Sequence, residues 1–276
     1  MSRLFWLCLL LLLSFSASAG PLVQFRTVLG DIDVELEDDK PVTTQNFLGY
    51  VQRGDYQNTF FHRLVPGFIV QGGGYLVLFR GTPFASFVRP PEYPSITNEF
   101  NVGRKLSNNF GTLAMAKTEA GPDTAAAEWF FNLANNSTNL DNQNGGFTVF
   151  GHIVRGTNIL QRFNNPAAAT NHIFIYNFGE PFTSLPVLTT NAAYDDLIYM
   201  DISLLNVQVK LGTNKVRQIS WKSVAGKTNF VEYTLFTNKP PTWFNLATTN
   251  GNGTNYMVTD SSTNNSRRFY RVRVAY

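Results

Sequence analysis

Cysteine is nearly absent. The 276-residue chain carries one, Cys8, so no disulfide can form within it, and an exported form must rely on its core and strand pairing. Histidine is sparse as well. His62, His152 and His172 are dispersed, without cysteine or paired-carboxylate spacing, so no metal site and no cofactor are expected. Charge is low: charged residues make up 15% of the chain and the formal net charge is +3. Apart from the strand from Arg267 to Arg273 the basic residues are scattered, and nothing suggests a nucleic-acid surface. Long apolar runs are missing too. The longest, Leu4 to Leu13, is too short to span a bilayer comfortably. Arg3 precedes it and the small residues Ala17-Ser18-Ala19 follow, the pattern of a secretory leader. Residues 1–19 are therefore expected to be a signal peptide and Gly20 the start of an exported chain, periplasmic or extracellular, with no membrane span after cleavage.

Aromatic residues are plentiful, with 24 Phe in the chain. They concentrate in strand-like runs, of which Phe60 to Gly74 organises the rest. Its β-branched and aromatic residues read as a half-buried strand. Arg63 is the only permanent cation in the run. Alternation sends Arg63 and Leu64 to opposite sides. Pro66-Gly67 makes a turn, Phe68 to Gln71 resumes the strand, and three glycines end it. An isolated buried charge is costly, so Arg63 should reach a partner, line a cleft, or snorkel its head into water.

The wording of that stretch, Phe-His-Arg-Leu-Val-Pro-Gly-Phe-Ile-Val-Gln-Gly-Gly, closely resembles the signature of the cyclophilins, the peptidyl-prolyl cis-trans isomerases. The resemblance extends over roughly residues 21 to 207. Leu22 to Thr27 and Asp31 to Leu36 form a hairpin, with Asp31, Asp33 and Glu35 on a wet face. Pro41 opens a helix whose stripe is Phe47, Leu48 and Val51. Tyr75 to Phe100 reads as a long surface loop ending at Asn98-Glu99-Phe100. Gly111 to Lys117, Trp129 to Leu133 and Phe147 to Ile153 read as strands, Val154 to Phe163 as a second helix, residues 164 to 199 as loop, and Leu197 to Val207 as a closing strand. The resemblance implies a mainly β fold: a closed β-barrel with two capping helices.

It also implies roles. Arg63 matches the catalytic arginine. Phe68, Ile69, Phe130, Leu140 and Phe147 match positions lining the proline pocket, where the bare pattern reads only as core. Gln71 and Ala116 match positions that hold substrate backbone. Glu128 stands where the family carries a backbone-contacting glutamine. As a carboxylate it is expected to pair with Arg63 and compete with the prolyl nitrogen. Asn139 replaces a tryptophan important for cyclosporin binding in many eukaryotic members, which implies weak cyclosporin affinity. Gly145-Gly146 lengthens the loop before Phe147.

Beyond Val207 the composition shifts. Six short alternating runs, separated by Asn, Gly, Thr and Ser turns, point to a small β-sandwich over residues 208–276. Its final run, Arg-Phe-Tyr-Arg-Val-Arg-Val, is similar to the last strand of fibronectin-III-like modules. Phe269, Arg271 and Arg273 share one face of it, either an ordinary solvated face or a basic binding face. Asn-x-Ser/Thr triplets at Asn136 and Asn252 read as incidental. The expected domain plan is thus 1–19 leader, 20–207 isomerase domain and 208–276 sandwich. The expected function is a monomeric isomerase acting on Xaa-Pro segments of exported polypeptides. A non-catalytic proline-peptide binder on the same scaffold is the rival.

Overall fold

The computed structural model of the chain describes residues 21–168, 170–190, 192–205, 207–212, 216–223, 228–235, 242–252, 254–262 and 267–275. The leader expected at 1–19 lies outside them. The elements run β1 (Leu22–Thr27), β2 (Gly30–Leu36), α1 (Pro41–Arg53), β3 (Thr59–Phe60), β4 (Arg63–Val65), β5 (Ile69–Gly72), β6 (Leu76–Leu78), β7 (Ser86–Val88), β8 (Thr112–Met115) and β9 (Trp129–Asn132). Then come α2 (Ser137–Leu140), β10 (Val149–Arg155), α3 (Thr157–Asn164), β11 (Phe174–Tyr176), β12 (Leu185–Val187) and β13 (Tyr199–Leu205). The C-terminal strands are β14 (Val207–Leu211), β15 (Arg217–Lys222), β16 (Thr228–Leu235), β17 (Phe244–Asn250), β18 (Asn255–Asp260) and β19 (Arg268–Ala275).

The large sheet is antiparallel with the order β4-β5-β9-β8-β10-β2-β1-β13-β3-β6-β7. Its first member, β4, continues the chain from β3, near the other end of the order. Only Phe61 and His62 separate them. Phe61 N–H still donates to Ile198 O beside β13, and His62 N–H donates to Gln71 O on β5. The ladder therefore returns on itself through one bent strand, and no edge is left on that circuit. Alternation fills the interior: Phe25, Ile32, Val70, Leu113, Met115, Trp129, Phe131 and Phe150 are buried there. Phe25 meets Trp129 and Phe131 edge to face at 4.9 and 5.1 Å.

Helices α1 and α3 add to the same core through Phe47, Tyr50 and Val51, and through Ile159, Leu160 and Phe163. Tyr50 joins the anticipated stripe of α1, and α3 starts three residues later than expected. Pro41 suits the first turn of α1, where its missing N–H has no intrahelical acceptor. No local side chain caps that end. The Glu99 carboxylate does so instead, accepting from Val42 N–H at 3.1 Å and Thr43 N–H at 2.8 Å. Gly54, at φ 78°, closes the helix in the left-handed conformation. A third, one-turn helix, α2, was not anticipated.

The expected wet face of β2 is not bare. Asp33 is buried, accepts from Arg155 Nε at 2.6 Å and from Gln24 at 3.0 Å, and Arg155 also reaches Asp31 at 3.2 Å. Strand β10 supplies that cation across the ladder. The loop expected over Tyr75 to Phe100 contains the hairpin β6–β7, and 164 to 199 contains β11, β12 and a 3-10 turn at Tyr194–Asp196. These segments build a second core outside the barrel, where Val77, Phe182, Leu185, Leu197 and Tyr199 bury Phe60, with Tyr75 and Phe87 packed against them.

The six C-terminal strands form two antiparallel sheets, β14-β15-β18 and β17-β16-β19. Ile219, Trp221, Val231 and Val272 are buried between them. Arg271 does not present a free charge: Nε donates to Glu232 at 2.7 Å and the guanidinium lies over the Trp243 ring. No helix among the described residues is long and apolar enough to cross a membrane.

Candidate active site

The site grows out of the barrel's outward-facing positions. Across β4, β5, β9 and β8 the register pairs Arg63 with Gln71, Gln71 with Phe130, and Phe130 with Ala114. Directly paired residues point to the same side of a sheet. Their chain neighbours Leu64, Val70, Trp129, Phe131, Leu113 and Met115 point inward. So one row across four strands carries an arginine, an amide, a phenyl ring and a methyl group on the outer wall.

The apolar end of the row is a separate cluster. Ile69, Ala114, Phe130, Leu140 and Val149 are buried in it, with Phe68, Leu106, Ala116 and Phe147 packed around them. All six apolar residues anticipated from sequence thus converge: Phe68 from the β4–β5 turn, Ile69 from β5, Ala116 just beyond β8, Phe130 from β9, Leu140 from α2, and Phe147 ahead of β10. Phe147 meets Phe130 edge to face at 5.8 Å. The extra glycines before Phe147 do not displace it. Gly146 sits at φ 79° with no room for a side chain against Phe100, and Phe147 N–H donates to Leu140 O. Lys117 stands over the Phe147 ring at 4.6 Å.

A buried asparagine ladder, missed by sequence reasoning, holds this pocket from beneath. Asn136 donates to Phe68 O and to Asn132 Oδ1, both at 2.7 Å. Asn132 donates to Asn108 Oδ1 at 3.0 Å, and Asn108 donates to Phe147 O at 3.0 Å and to Asp141 at 2.9 Å. Two rim residues of the pocket are thereby tied to one satisfied network. The buried amide of Asn136 is committed to it, in keeping with reading that triplet as incidental.

The polar end differs from expectation. Arg63 is half-buried and its Nη1 lies 3.5 Å from Gln71 Oε1, long for a hydrogen bond. It pairs with no carboxylate among the described residues. Glu128 does not reach it. Instead Glu128 accepts from Gln71 Nε2 at 2.7 Å, lies 3.4 Å from His62 Nε2, and pairs with Arg89 at 3.3 Å. Gln71 stands between the two charges, which is why the expected ion pair does not form. Burial acts to raise the Glu128 carboxyl, but His62, Gln71 and Arg89 together outweigh it and leave the group below the usual carboxylate range. Gln71, Arg89, Glu92, Ala116, Lys117 and Glu128 are among the residues lining a cleft of about 150 Å³.

The histidines do not gather. His62 lies beside Glu128, whereas His152 lies 2.9 Å from Glu37 and 3.8 Å from Glu35. No cluster able to hold a metal occurs among the described residues.

Comparison with known proteins agrees with this architecture. The family model for cyclophilin-type peptidyl-prolyl cis-trans isomerases matches residues 22–178. A peptidyl-prolyl cis-trans isomerase of Acinetobacter baylyi is 36% identical over 162 residues, which are 58% of this chain and 80% of that protein. Isomerase B of Escherichia coli is 38% identical over 53% of this chain and 85% of its own length. Isomerase A of Dickeya dadantii is 35% identical over 55% of this chain and 75% of its own. The chain belongs to the cyclophilin-type peptidyl-prolyl cis-trans isomerases, and isomerisation of prolyl peptide bonds is its activity.

Proposed function

We propose that Arg63 performs the isomerisation by donating a hydrogen bond to the prolyl nitrogen of a twisted Xaa-Pro amide seated on the Phe130 pocket. Rotation of a prolyl bond costs amide resonance, a barrier of about 18–20 kcal/mol. In the twisted state the nitrogen lone pair is no longer conjugated and becomes an acceptor. A donor fixed at that point binds the transition state better than either planar form, which is what catalysis requires. A guanidinium is permanently charged and forked, so it can serve Gln71 and substrate together.

The observation that carries this reading is the cross-strand row. It sets Arg63 two strands from Phe130 on the same wall, with Gln71 between them. Magnitudes assign the pocket a share of the work. A hydrogen bond to a charged group nets about 1.5–3 kcal/mol, whereas a 10⁵-fold acceleration needs roughly 7 kcal/mol. Ile69, Phe130, Leu140 and Phe147 supply the remainder by excluding water and orienting the ring. Gln71 and Ala116 hold the substrate backbone alongside.

The leader at 1–19 directs this activity to Xaa-Pro segments of exported polypeptides, with the sandwich from 208 onward serving attachment or recognition and the protein acting as a monomer. Isomerisation of an Ala-Pro-Phe-type peptide should be accelerated by the mature chain and lost by about two orders of magnitude or more in Arg63→Ala, the scale set by removing a charged donor in a dry site. Full activity in that variant would remove Arg63 from the mechanism. Mass spectrometry of the exported protein tests the leader, and a mature N-terminus other than Gly20 would overturn that assignment.

A further inference from the structure

Arg89 reaches the site from outside the barrel. It follows β7, the second strand of a hairpin tied to the barrel by the pairing of Leu76 with Thr59 on β3. The hairpin is anchored in the second core through Val77 and Phe87. That core also positions Tyr75, whose ring packs edge to face on Phe182 at 4.7 Å and on His62 at 5.1 Å. Arg89 lies over the Tyr75 ring, donates to its hydroxyl at 2.9 Å, and pairs with Glu128 Oε1. The other carboxylate oxygen, Oε2, accepts from Gln71 Nε2.

This last contact has a directional consequence. A side-chain amide has one donor end and one acceptor end. A carboxylate accepts only, so Glu128 draws the NH₂ of Gln71 to itself and leaves Oε1 facing Arg63. Turned the other way, the NH₂ would confront the guanidinium, donor against donor. The four side chains thus form a line of alternating character: cation, carboxylate, amide, cation.

We propose that Glu128, held by Arg89 from the accessory hairpin, is a positioning residue that orients Gln71 and through it the guanidinium of Arg63. The hairpin and second core then set the aim of the arginine without touching substrate. This rests on the reading of Arg63 as the donor. Glu128 is accordingly a support for turnover, and its carboxylate does not compete for the arginine while Arg89 and Gln71 occupy both oxygens.

The test is kcat and KM, measured separately on a proline tetrapeptide with the mature protein. The variants are Glu128→Ala, Glu128→Gln, Arg89→Met, Arg63→Ala and Arg63→Ala/Glu128→Ala, each checked for an unchanged thermal midpoint. Glu128→Ala should lower kcat about tenfold, the scale of one charge-assisted hydrogen bond, with KM held. Glu128→Gln still offers an acceptor and should restore most of kcat, and Arg89→Met should give a smaller loss than Glu128→Ala. In the Arg63→Ala background the Glu128→Ala effect should vanish, because the two act as one unit. An equal loss in both backgrounds, a change confined to KM, or no rescue by Glu128→Gln would overturn the proposal. Wild-type kcat in Arg63→Ala alone would instead sink the arginine reading beneath it.

Discussion

The side-chain amide of Gln71 donates to the Glu128 carboxylate at 2.7 Å. That bond orders the polar half of the site, since it fixes which end of the amide faces Arg63. Its backbone is fixed as well, because Gln71 O accepts from His62 N–H within the bent strand. Gln71→Met keeps the length and the strand but removes both ends of the link. We expect a fall in kcat of about tenfold, matching the loss of a hydrogen bond to a charged group, with the thermal midpoint little changed. Unaltered kcat would show that Arg63 needs no orienting partner.

Phe130 is 2% exposed and forms the floor of the apolar pocket. Truncation to alanine opens a cavity beneath Phe147 that the asparagine ladder prevents from collapsing. Phe130→Ala should cost about 3–5 kcal/mol of stability, measured by urea unfolding, and raise KM for prolyl peptides. A stable variant with normal KM would place the proline elsewhere.

Gly146 adopts φ 79°, and a methyl group there would overlap the Phe100 ring. Its carbonyl also accepts from Asn98 and from Lys117. Gly146→Ala therefore combines backbone strain of roughly 1–3 kcal/mol with a clash. Phe147 is the next residue, so the substitution should raise KM as well as lower the unfolding midpoint. A drop in midpoint with unchanged KM would mean that Phe147 does not take part in binding.

Lys117 is half-buried, and burial pushes its ammonium down to about 8 against the opposing charge of Asp123. The cationic form is therefore less favoured in the fold than in the unfolded chain, which holds the proton more tightly. The resulting penalty is complete below pH 8 and is relieved as pH rises from there toward the ordinary lysine value of about 10.4. Unfolding free energy of the wild type, relative to Lys117→Met, should climb across that window. Parallel curves for the two proteins would contradict it.

Much of the barrel was legible locally. The hairpin turn at Leu29-Gly30-Asp31 placed β1 at Leu22–Thr27, Pro41 marked the start of α1, and, in the C-terminal sheets, Val207 to Leu211 marked β14. These depend on period and on single-residue backbone chemistry, which neighbours in the chain supply. That Arg63 and Gln71 face each other was not read from the sequence; it follows from the β4–β5 register that the structure supplies. The apolar pocket required the family resemblance, because Phe130, Leu140 and Phe147 look like core from pattern alone. Strands β6, β7, β11 and β12 escaped because three residues are too few to show a period, and β6, β7 and β12 are held by packing in the second core around Phe60 and Phe182.

What the sequence determined, then, was local alternation, such as the opposite sides taken by Arg63 and Leu64, whereas the pairing of strands aligned Arg63, Gln71 and Phe130 into one outward row. What only the tertiary structure decided was the partner of each charge. Glu99 caps a helix that begins almost sixty residues earlier, and Glu128 meets Arg89 and Gln71 where Arg63 had been expected. Strand alternation is settled by local geometry, one residue at a time. Ion pairing is settled by which distant segments the closed ladder and the second core bring within hydrogen-bonding reach.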